Sequence, residues 1–449
     1  MQIKKFPESN LMQNPCLVVS DCNGNIFEIP DVGMAAFTGV KNVVPDETDM
    51  IPLPEGSMFF TLPGRAATGY DNSSKKFITI TEYANKRVFP VAAFMPPGYV
   101  RTLHSAYTEL KGAPPLPLYC YTATGWKNDR FYVAGNRIDR RIRHKIADTD
   151  FSRIDMQAAA LLRRHKGNRL VEHLVNNCVF KYRCPNACNL ALVRWECPVP
   201  VSKACNAACI GCISSQNKSS GFPSSQHRLD FIPGVEEILD YVVPHIKNAP
   251  DPIISFGQGC EGEPLLQAEL IEEAIRKIRM SSRRGILNIN TNAGIPDALE
   301  ALCKAGLDSM RVSLNSAQDN FYQAYYRPRN YSFEDVKKSI LIAKRYNVWV
   351  SLNYLVFPGF TDNPSEIAAF LKLAKDAKID MIQMRNLNID PQLLCRKMFF
   401  DKLSGNPVGI VKWIEIIKKE IPNVITGYFN PTITTIKASH VYLPKVKLR

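Results

Sequence analysis

The sequence predicts an α/β protein, a partial (β/α)6 barrel preceded by a β-rich N-terminal domain. Three observations predict it. From about residue 200, apolar strand-like runs alternate with amphipathic stretches opened by helix-cap residues, the pattern of a parallel sheet. Before residue 135 the apolar runs are short and separated by turn chemistry instead of helices. Between the two halves, seven cysteines crowd into residues 178–212.

In the N-terminal part, residues 16–19 and 77–81 read as strands. Asn23-Gly24-Asn25, Asp71-Asn72-Ser73 and Pro96-Pro97-Gly98 supply turns. Residues 118–121 and 131–133, on either side of Lys127-Asn128-Asp129, read as a hairpin. In the barrel, a strand before Cys205 is followed by strands at 253–256, 286–290, 310–314, 348–356 and 381–384. A helix follows Pro264, and another runs over 296–304 and stops at Gly306. Ser332 with Asp335 three residues on, and Asn363-Pro364 with Glu366, open two more, and 407–419 forms the last. Asn217–Ser225, NKSSGFPSS, is the clearest flexible loop. The domains expected are 1–135, β-rich; 136–197, a basic and cysteine-rich connection; 198–395, the barrel; and 396–449, a C-terminal helix and tail.

The 449 residues are 45% hydrophobic and 22% charged, which excludes a largely disordered chain. Lys and Arg number 56 against 42 Asp and Glu, a net charge of +14 that favours anionic partners. Residues 127–183 alone hold 14 Lys/Arg against 6 Asp/Glu. Arg137, Arg140, Arg141, Arg143 and Lys145 fall within nine residues, and Arg163-Arg164-His165-Lys166 follow. This stretch reads either as a solvated helix face or as a phosphate-contacting patch. Thirteen cysteines, an odd number in a long chain, argue against a disulfide scaffold and for metal ligation in a reducing compartment. The opening MQIKKFPESN is too polar for a secretory leader, and the strongest apolar stretch, 88–97, is too short to span a bilayer. The expectation is a cytoplasmic protein with no membrane partner.

The central motif is Cys205-x3-Cys209-x2-Cys212. Three thiolates on one tight loop can hold three irons of a [4Fe–4S] cube and leave the fourth iron open. Zinc would need a further ligand, for which Cys197 is available. The triad follows an apolar strand and opens a βα series. With the downstream segments, it resembles the radical S-adenosylmethionine (SAM) superfamily over residues 198–395. Phe256-Gly-Gln-Gly-Cys-Glu-Gly262-Glu263-Pro264 resembles the family's Gly-rich segment that receives the methionine amino group. Glycines permit close approach there and a carboxylate compensates an ammonium. Cys260 and Glu261 lie inside an expanded version of it; Glu263 is favoured over Glu261, and Cys260 reads as a small packing residue. Asn290-Thr291-Asn292 resembles the family's Thr-Asn-Gly, with Ala293 in place of Gly. Arg311-Val-Ser313-Leu-Asn315 resembles the fourth-strand segment that reaches the SAM ribose and carboxylate, its polar residues sharing one strand face. Residues 355–362, LVFPGFTD, resemble the segment that shelters adenine, and Met384-Arg385-Asn386 ends the sixth strand. All of these fall at carboxyl ends of strands, the face where barrel sites sit.

The resemblance implies an oxidoreductase-type mechanism. SAM is reductively cleaved at a [4Fe–4S] cluster held by Cys205, Cys209 and Cys212, giving a 5′-deoxyadenosyl radical that abstracts hydrogen from a substrate the sequence does not identify. It also implies an electron donor such as flavodoxin or ferredoxin. Gly262, Glu263, Pro264, Asn290, Asn292, Arg311, Ser313 and Asn315 are the implied SAM contacts. Ahead of the triad, Cys178, Cys184, Cys188 and Cys197 are enough for an auxiliary Fe–S cluster or a zinc site, or are unligated thiols. An anionic substrate (RNA, a phosphorylated small molecule or an acidic protein) suits the charge. The alternatives are a methylase-like RNA-modifying enzyme, with Cys395 as its methyl carrier, and a metal-cluster nucleic-acid-binding protein without SAM chemistry.

Overall fold

A computed structural model describes residues 14–141, 150–398, 400, 403 and 405–438. Two units are resolved within the chain.

The first unit comprises Met1–Arg137, Phe357–Ser365 and Asn386–Ile416. Its centre is an eleven-stranded sheet in which Cys16–Ser20 pairs with Ile26–Met34 across the Asn23-Gly24-Asn25 turn. The expected hairpin forms, but its first strand is Thr124–Lys127 instead of 118–121; Lys127 faces Arg130, and Asn128 and Asp129 adopt φ of 51° and 55°. That left-handed pair is what a two-residue turn between twisted strands demands. Leu118, Cys120 and Tyr121 are instead buried, and Tyr121 packs with Leu62, Ala92, Tyr107 and Leu116. Asp390 ties the returning segment to the sheet. It is fully buried, pairs with Arg65 Nη2 at 2.9 Å, and accepts from Tyr107 O–H at 3.1 Å and Leu116 N–H at 3.0 Å. Burial of a charge is tolerable only with such a partner set.

The second unit comprises Ile138–Val356, Glu366–Arg385 and Ile417–Arg449. Its sheet has seven strands in sequence order: Glu196–Val199, Ile253–Phe256, Ile286–Thr291, Ser309–Leu314, Trp349–Val356, Met381–Asn386 and Ile425–Gly427. The pairings with resolved register are all parallel. The βα alternation and its partial-barrel sheet are thus present, with one strand more than the six expected. Ile425–Gly427 is three residues long, too short to display a period of its own.

The helix signals are also found. Ser332 and Asp335 form a reciprocal capping box, and Gly306 ends Pro296–Ala305 at φ 111°. Glu366 does more than open its helix: buried, it accepts from Ser316 O–H at 2.6 Å, Ala317 N–H at 2.8 Å and Tyr354 O–H at 2.6 Å, pinning the loop after the fourth strand.

One sheet face is layered. At the amino ends Ile253, Ile286, Trp349 and Met381 pack with Ile436 into an apolar floor. Above it, strand alternation brings Glu196, Ser255, Asn288, Asn290, Arg311 and Gln383 into one hydrogen-bonded set with Asn430. A dry floor beneath a polar top places the reactive side of this sheet at its carboxyl ends.

Much of the basic stretch is consumed internally. Arg141 pairs with buried Asp139, Arg169 with Glu237 at 2.6 Å, and Arg183 with Asp155. Arg140, Arg163 and Arg164 are exposed. Arg143 and Lys145 lie outside the described residues. Among the described residues, no helix is long and apolar enough to cross a membrane.

Candidate cluster and cofactor site

The loop after the first strand carries Cys205, Cys209 and Cys212, all half-buried. Its shape is set by backbone bonds from three directions. Ala208 and Ile210 N–H donate to the carbonyls of Tyr326 and Tyr325 at 2.9 and 3.0 Å, and Arg329 N–H donates to Asn206 at 2.7 Å. Gln216 ties back to the loop, its Nε2 donating to the carbonyls of Ile210 and Cys212 at 3.1 and 2.7 Å. Burial pushes the Cys205 thiol up to about 11, and burial followed by the neighbouring Cys212 and Cys205 pushes Cys209 well above its ordinary value. Thiols so reluctant to ionise alone are released by a bound cation, which supplies the missing positive charge. Arg228 Nη2 points at Cys212 Sγ from 3.4 Å.

The Gly-rich segment lies directly against this loop. Gly262 N–H donates to Ser202 at 2.7 Å and Glu263 N–H to Ala204 at 2.8 Å. A Cβ on Gly262 would stand 1.8 Å from the Ala204 carbonyl oxygen, so only glycine permits the approach. Glu263 is buried and reaches the end of the third strand, accepting from Thr291 O–H and from Asn292 N–H at 2.9 Å. Burial pushes its carboxyl up to about 7. Glu261 instead spends its carboxylate on loop backbone, accepting from Val201, Ser202 and Gln258 N–H at 2.7, 2.9 and 2.5 Å. Asn292 Nδ2 donates to Asn206 Oδ1 at 2.6 Å, closing the ring from the triad loop to the third strand. Asn206 and Arg228 were not singled out in the sequence, and Thr291 was read only as part of the Asn290-Thr291-Asn292 segment; nothing in a sequence marks a polar side chain as the support of a distant loop.

Ala293 adopts φ 59° and is fully buried, its carbonyl held by Ser339 Oγ at 2.7 Å. An L-residue there costs about 1–2 kcal/mol. Ala293→Gly is therefore expected to leave thermal stability unchanged or raise it slightly, whereas Ala→Gly elsewhere costs about 1 kcal/mol. A clear fall in the melting temperature would count against strain at this position.

The remaining polar contacts expected from sequence sit on the same sheet face. Asn290 Nδ2 donates to the Gly257 carbonyl at 2.5 Å. Arg311 Nη1 reaches Asn430 and Gln383, at 3.3 and 3.4 Å. Burial, then the nearby Arg385, lowers Arg311 to about 9. Ser313 stands beside Asn353 in the register of the fourth and fifth strands. Asn315 Nδ2 donates to Phe321 at 3.3 Å. Several buried atoms around this face have no partner: Arg311 Nε, Asn315 Oδ1, Asn353 Oδ1, Asn288 Oδ1 and Arg385 Nε. Orphaned buried donors and acceptors in such number suit a polar ligand that completes them. Three thiolates on one loop, a glycine-lined approach and a buried carboxylate likewise fit an iron–sulfur cluster and SAM. Of residues 355–362, only Leu355 and Val356 belong to this unit.

Of the four upstream cysteines, Cys178, Cys184 and Cys188 stand close enough for their charges to act on one another. Cys178 also lies beside Cys260, sulfur to sulfur at 3.7 Å, and His173 completes a buried group whose ligand atoms all lie within 4.8 Å of one another. Among the described residues this is the group of that kind that could hold a single ion. Cys197 is absent from it because strand alternation turns it away from Glu196 and towards Tyr241, whose hydroxyl donates to Pro198. Cys260, read as a packing residue, is buried and lies against Cys178. Cys395 stands in the first unit, where its thiol donates to the Gly39 carbonyl at 3.5 Å.

A parallel βα sheet with a three-cysteine loop at its carboxyl edge is the architecture of an iron–sulfur barrel protein. Residues 199–372 match the family model of the radical SAM superfamily. Among curated proteins it is 26% identical over 224 residues to a GTP 3′,8-cyclase of Clostridium botulinum (strain Hall), covering 49% of this chain and 65% of that one. A GTP 3′,8-cyclase of Aquifex aeolicus (strain VF5) is 27% identical over 176 residues, covering 39% of this chain and 52% of that one. The chain therefore spans under two thirds of the length of these relatives. Among solved structures, a radical SAM methyltransferase from Sphaerobacter thermophilus shows 14% identity and a TM-score of 0.36, over 51% of this chain and 64% of that one.

Proposed function

We propose that this protein is a radical SAM enzyme: Cys205, Cys209 and Cys212 hold a [4Fe–4S] cluster whose open iron receives SAM. The observation that carries the reading is the stitching of the triad loop to Gly262 and Glu263 through two backbone hydrogen bonds. It puts a buried carboxylate and a bare glycine backbone beside the three thiolates. Held there, a [4Fe–4S] cluster and SAM would supply reductive cleavage of the sulfonium C–S bond, with an external donor providing the electron. The chain's own part is positional. Glu263 balances the SAM ammonium, and Gly262 and Pro264 shape the approach. Asn290, Asn292, Arg311, Ser313 and Asn315 meet its remaining polar groups. Tyr322, Tyr325 and Tyr326, buried beside the loop, keep water out. A flavodoxin- or ferredoxin-like protein fits the role of donor. Anaerobic reconstitution with iron and sulfide, then dithionite and SAM, tests the reading: 5′-deoxyadenosine should form, and its absence from cluster-loaded protein refutes it.

The substrate class we propose is an anionic, phosphorylated small molecule. Arg385 stands at the carboxyl end of the sixth strand with Nε unpartnered, the chain is strongly basic, and the curated relatives are named for GTP. With GTP as the probe, binding should weaken as salt rises. Arg385→Gln should weaken it by about tenfold or more, as loss of a charged hydrogen bond does, while 5′-deoxyadenosine formation from SAM alone persists. Charge reversal at the exposed Arg140, Arg163 and Arg164 should flatten the salt dependence. Equal GTP binding by Arg385→Gln and the unaltered protein would exclude Arg385 as the anion contact.

A further inference from the structure

We propose that His173, Cys178 and Cys260 form a separate single-ion zinc site that clamps the Gly-rich segment to the helices preceding the barrel. The three residues are buried, at 8%, 4% and 5% exposure, and their ligand atoms lie within 4.8 Å of one another. Two thiolates bound at about 2.3 Å to a tetrahedral zinc stand about 3.8 Å apart. The Cys178 and Cys260 sulfurs stand 3.7 Å apart. A disulfide would hold them at about 2.05 Å, and an iron–sulfur cube spreads its thiolates wider than one ion does. The spacing, now that of a thiol–thiol hydrogen bond, is one a single tetrahedral ion would accept without movement of either sulfur.

The histidine is presented for the same purpose. Its Nδ1 is 3.4 Å from the Asn177 side-chain amide, Nε2 is buried with no nitrogen or oxygen partner, and the ring interacts with the Cys178 thiol. As placed, the amide nitrogen donates to Nδ1; with the amide turned over, its oxygen would accept Nδ1–H and leave the Nε2 lone pair for an ion.

The backbone brings the two upstream ligands together by an uncommon device. Arg169–His173 is α-helical and Leu174–Lys181 continues it as a π-helix. Positions five apart on an α-helix stand about 140° apart around the axis. The wider π turn, bonded i to i+5, closes that angle and sets His173 and Cys178 on one side. π-Helical turns are rare and concentrate at functional sites.

Cys260 arrives from the loop after the second strand, 82 residues later. Its neighbours in that loop are Glu261, which binds Val201 and Ser202 N–H, and Gly262, which seats the triad loop. An ion on Cys260 would therefore fix the segment that, on the function proposed above, receives SAM. Cys184, at the N-cap of Pro185–Ala191, is the further thiol on this side for the fourth position.

The test is metal content in a background without the cluster. The Cys205→Ala/Cys209→Ala/Cys212→Ala variant should retain about one zinc per chain. Adding His173→Ala or Cys260→Ala should remove it, and adding Cys197→Ala should not. Because Cys260→Ala can also disturb folding, cobalt substitution of the triple variant supplies a second reading. Thiolate-to-cobalt charge-transfer bands of a tetrahedral site should appear and vanish on adding zinc. A chelator should lower the melting temperature of the triple variant, and zinc should restore it. A triple variant free of metal, one that holds about four irons instead, or zinc unaffected by both substitutions would overturn the site. None of these readouts uses SAM cleavage, so failure of the zinc site and failure of the radical SAM reading are told apart. If both stand, His173→Ala should raise the SAM concentration needed for half-maximal 5′-deoxyadenosine formation while leaving the cluster iron in place.

Discussion

Replacing any one of Cys205, Cys209 and Cys212 with Ala is expected to bring 5′-deoxyadenosine formation to background. Outer-shell partners of metal sites alone cost about 10–100-fold when removed, so loss of a ligand should exceed 100-fold. The structure sharpens this expectation. The three cysteines sit on one loop whose path is dictated by backbone bonds to Tyr325, Tyr326 and Ser202–Ala204, and not by the cysteines themselves. The alanine variants should therefore fold, with melting temperatures close to that of the metal-free parent, and fail only in iron content and SAM cleavage. Arg228→Gln gives an intermediate case. It removes a charged donor 3.4 Å from Cys212 Sγ but no ligand. Hydrogen bonds to cluster sulfurs tune the potential, so iron should stay and the reduction potential should fall. Undiminished 5′-deoxyadenosine formation in any single cysteine variant sinks the ligand assignment.

What was legible in the sequence were the features encoded within a few residues of one another. The capping box at Ser332 and Asp335 and the stop at Gly306 are local chemistry, and both stand as read. The triad lies within eight residues, and its chemistry needs no knowledge of the fold. What escaped depends on contacts the chain makes with itself at a distance. His173 looks like any lone histidine until a π turn carries it to Cys178 and the second strand delivers Cys260. Grouping Cys178 with Cys184, Cys188 and Cys197 by proximity in sequence left out Cys260, which the fold sets beside Cys178. Glu366 announced itself as a helix opener, and its larger role as an acceptor for Ser316, Ala317 and Tyr354 rests on neighbours up to 50 residues away. The return of Asn386–Ile416 to the first unit turns on Asp390, an acid whose partners Arg65 and Tyr107 lie some 300 residues earlier in the chain. A sequence gives no sign of such a pairing, because one buried ion pair has no period.

Gly262→Ala is expected to be among the most damaging single-methyl changes in the molecule. Its added Cβ would lie 1.8 Å from the Ala204 carbonyl oxygen, 2.4 Å from the carbonyl carbon and 3.1 Å from Cys205 N. Those are backbone atoms and cannot rotate away. The two segments must separate, and the bonds from Gly262 to Ser202 and from Glu263 to Ala204 go with them. Two such bonds are worth about 1 kcal/mol each, and forced overpacking adds about 1–3 kcal/mol. The stability loss should thus reach about 3–5 kcal/mol. Function should suffer more than stability, because the parting occurs one residue before the first cluster cysteine and one before Glu263. A displacement of about 1 Å between reacting partners can cost about 100-fold in rate. Gly259→Ala supplies the contrast within the same loop. There the new methyl meets the Ile213 Cδ1 tip at 2.7 Å and the Gln226 Oε1 tip at 3.0 Å, ends of side chains that can swing aside. Gly257→Ala should resemble Gly262→Ala, since its Cβ would lie 1.9 Å from the Asn290 carbonyl oxygen and its φ is 79°. The expected order of 5′-deoxyadenosine formation is parent, then Gly259→Ala, then the other two far below. If Gly259→Ala proves as damaging as Gly262→Ala, the loop is sensitive to any added bulk, and the close backbone approach is not what positions the site.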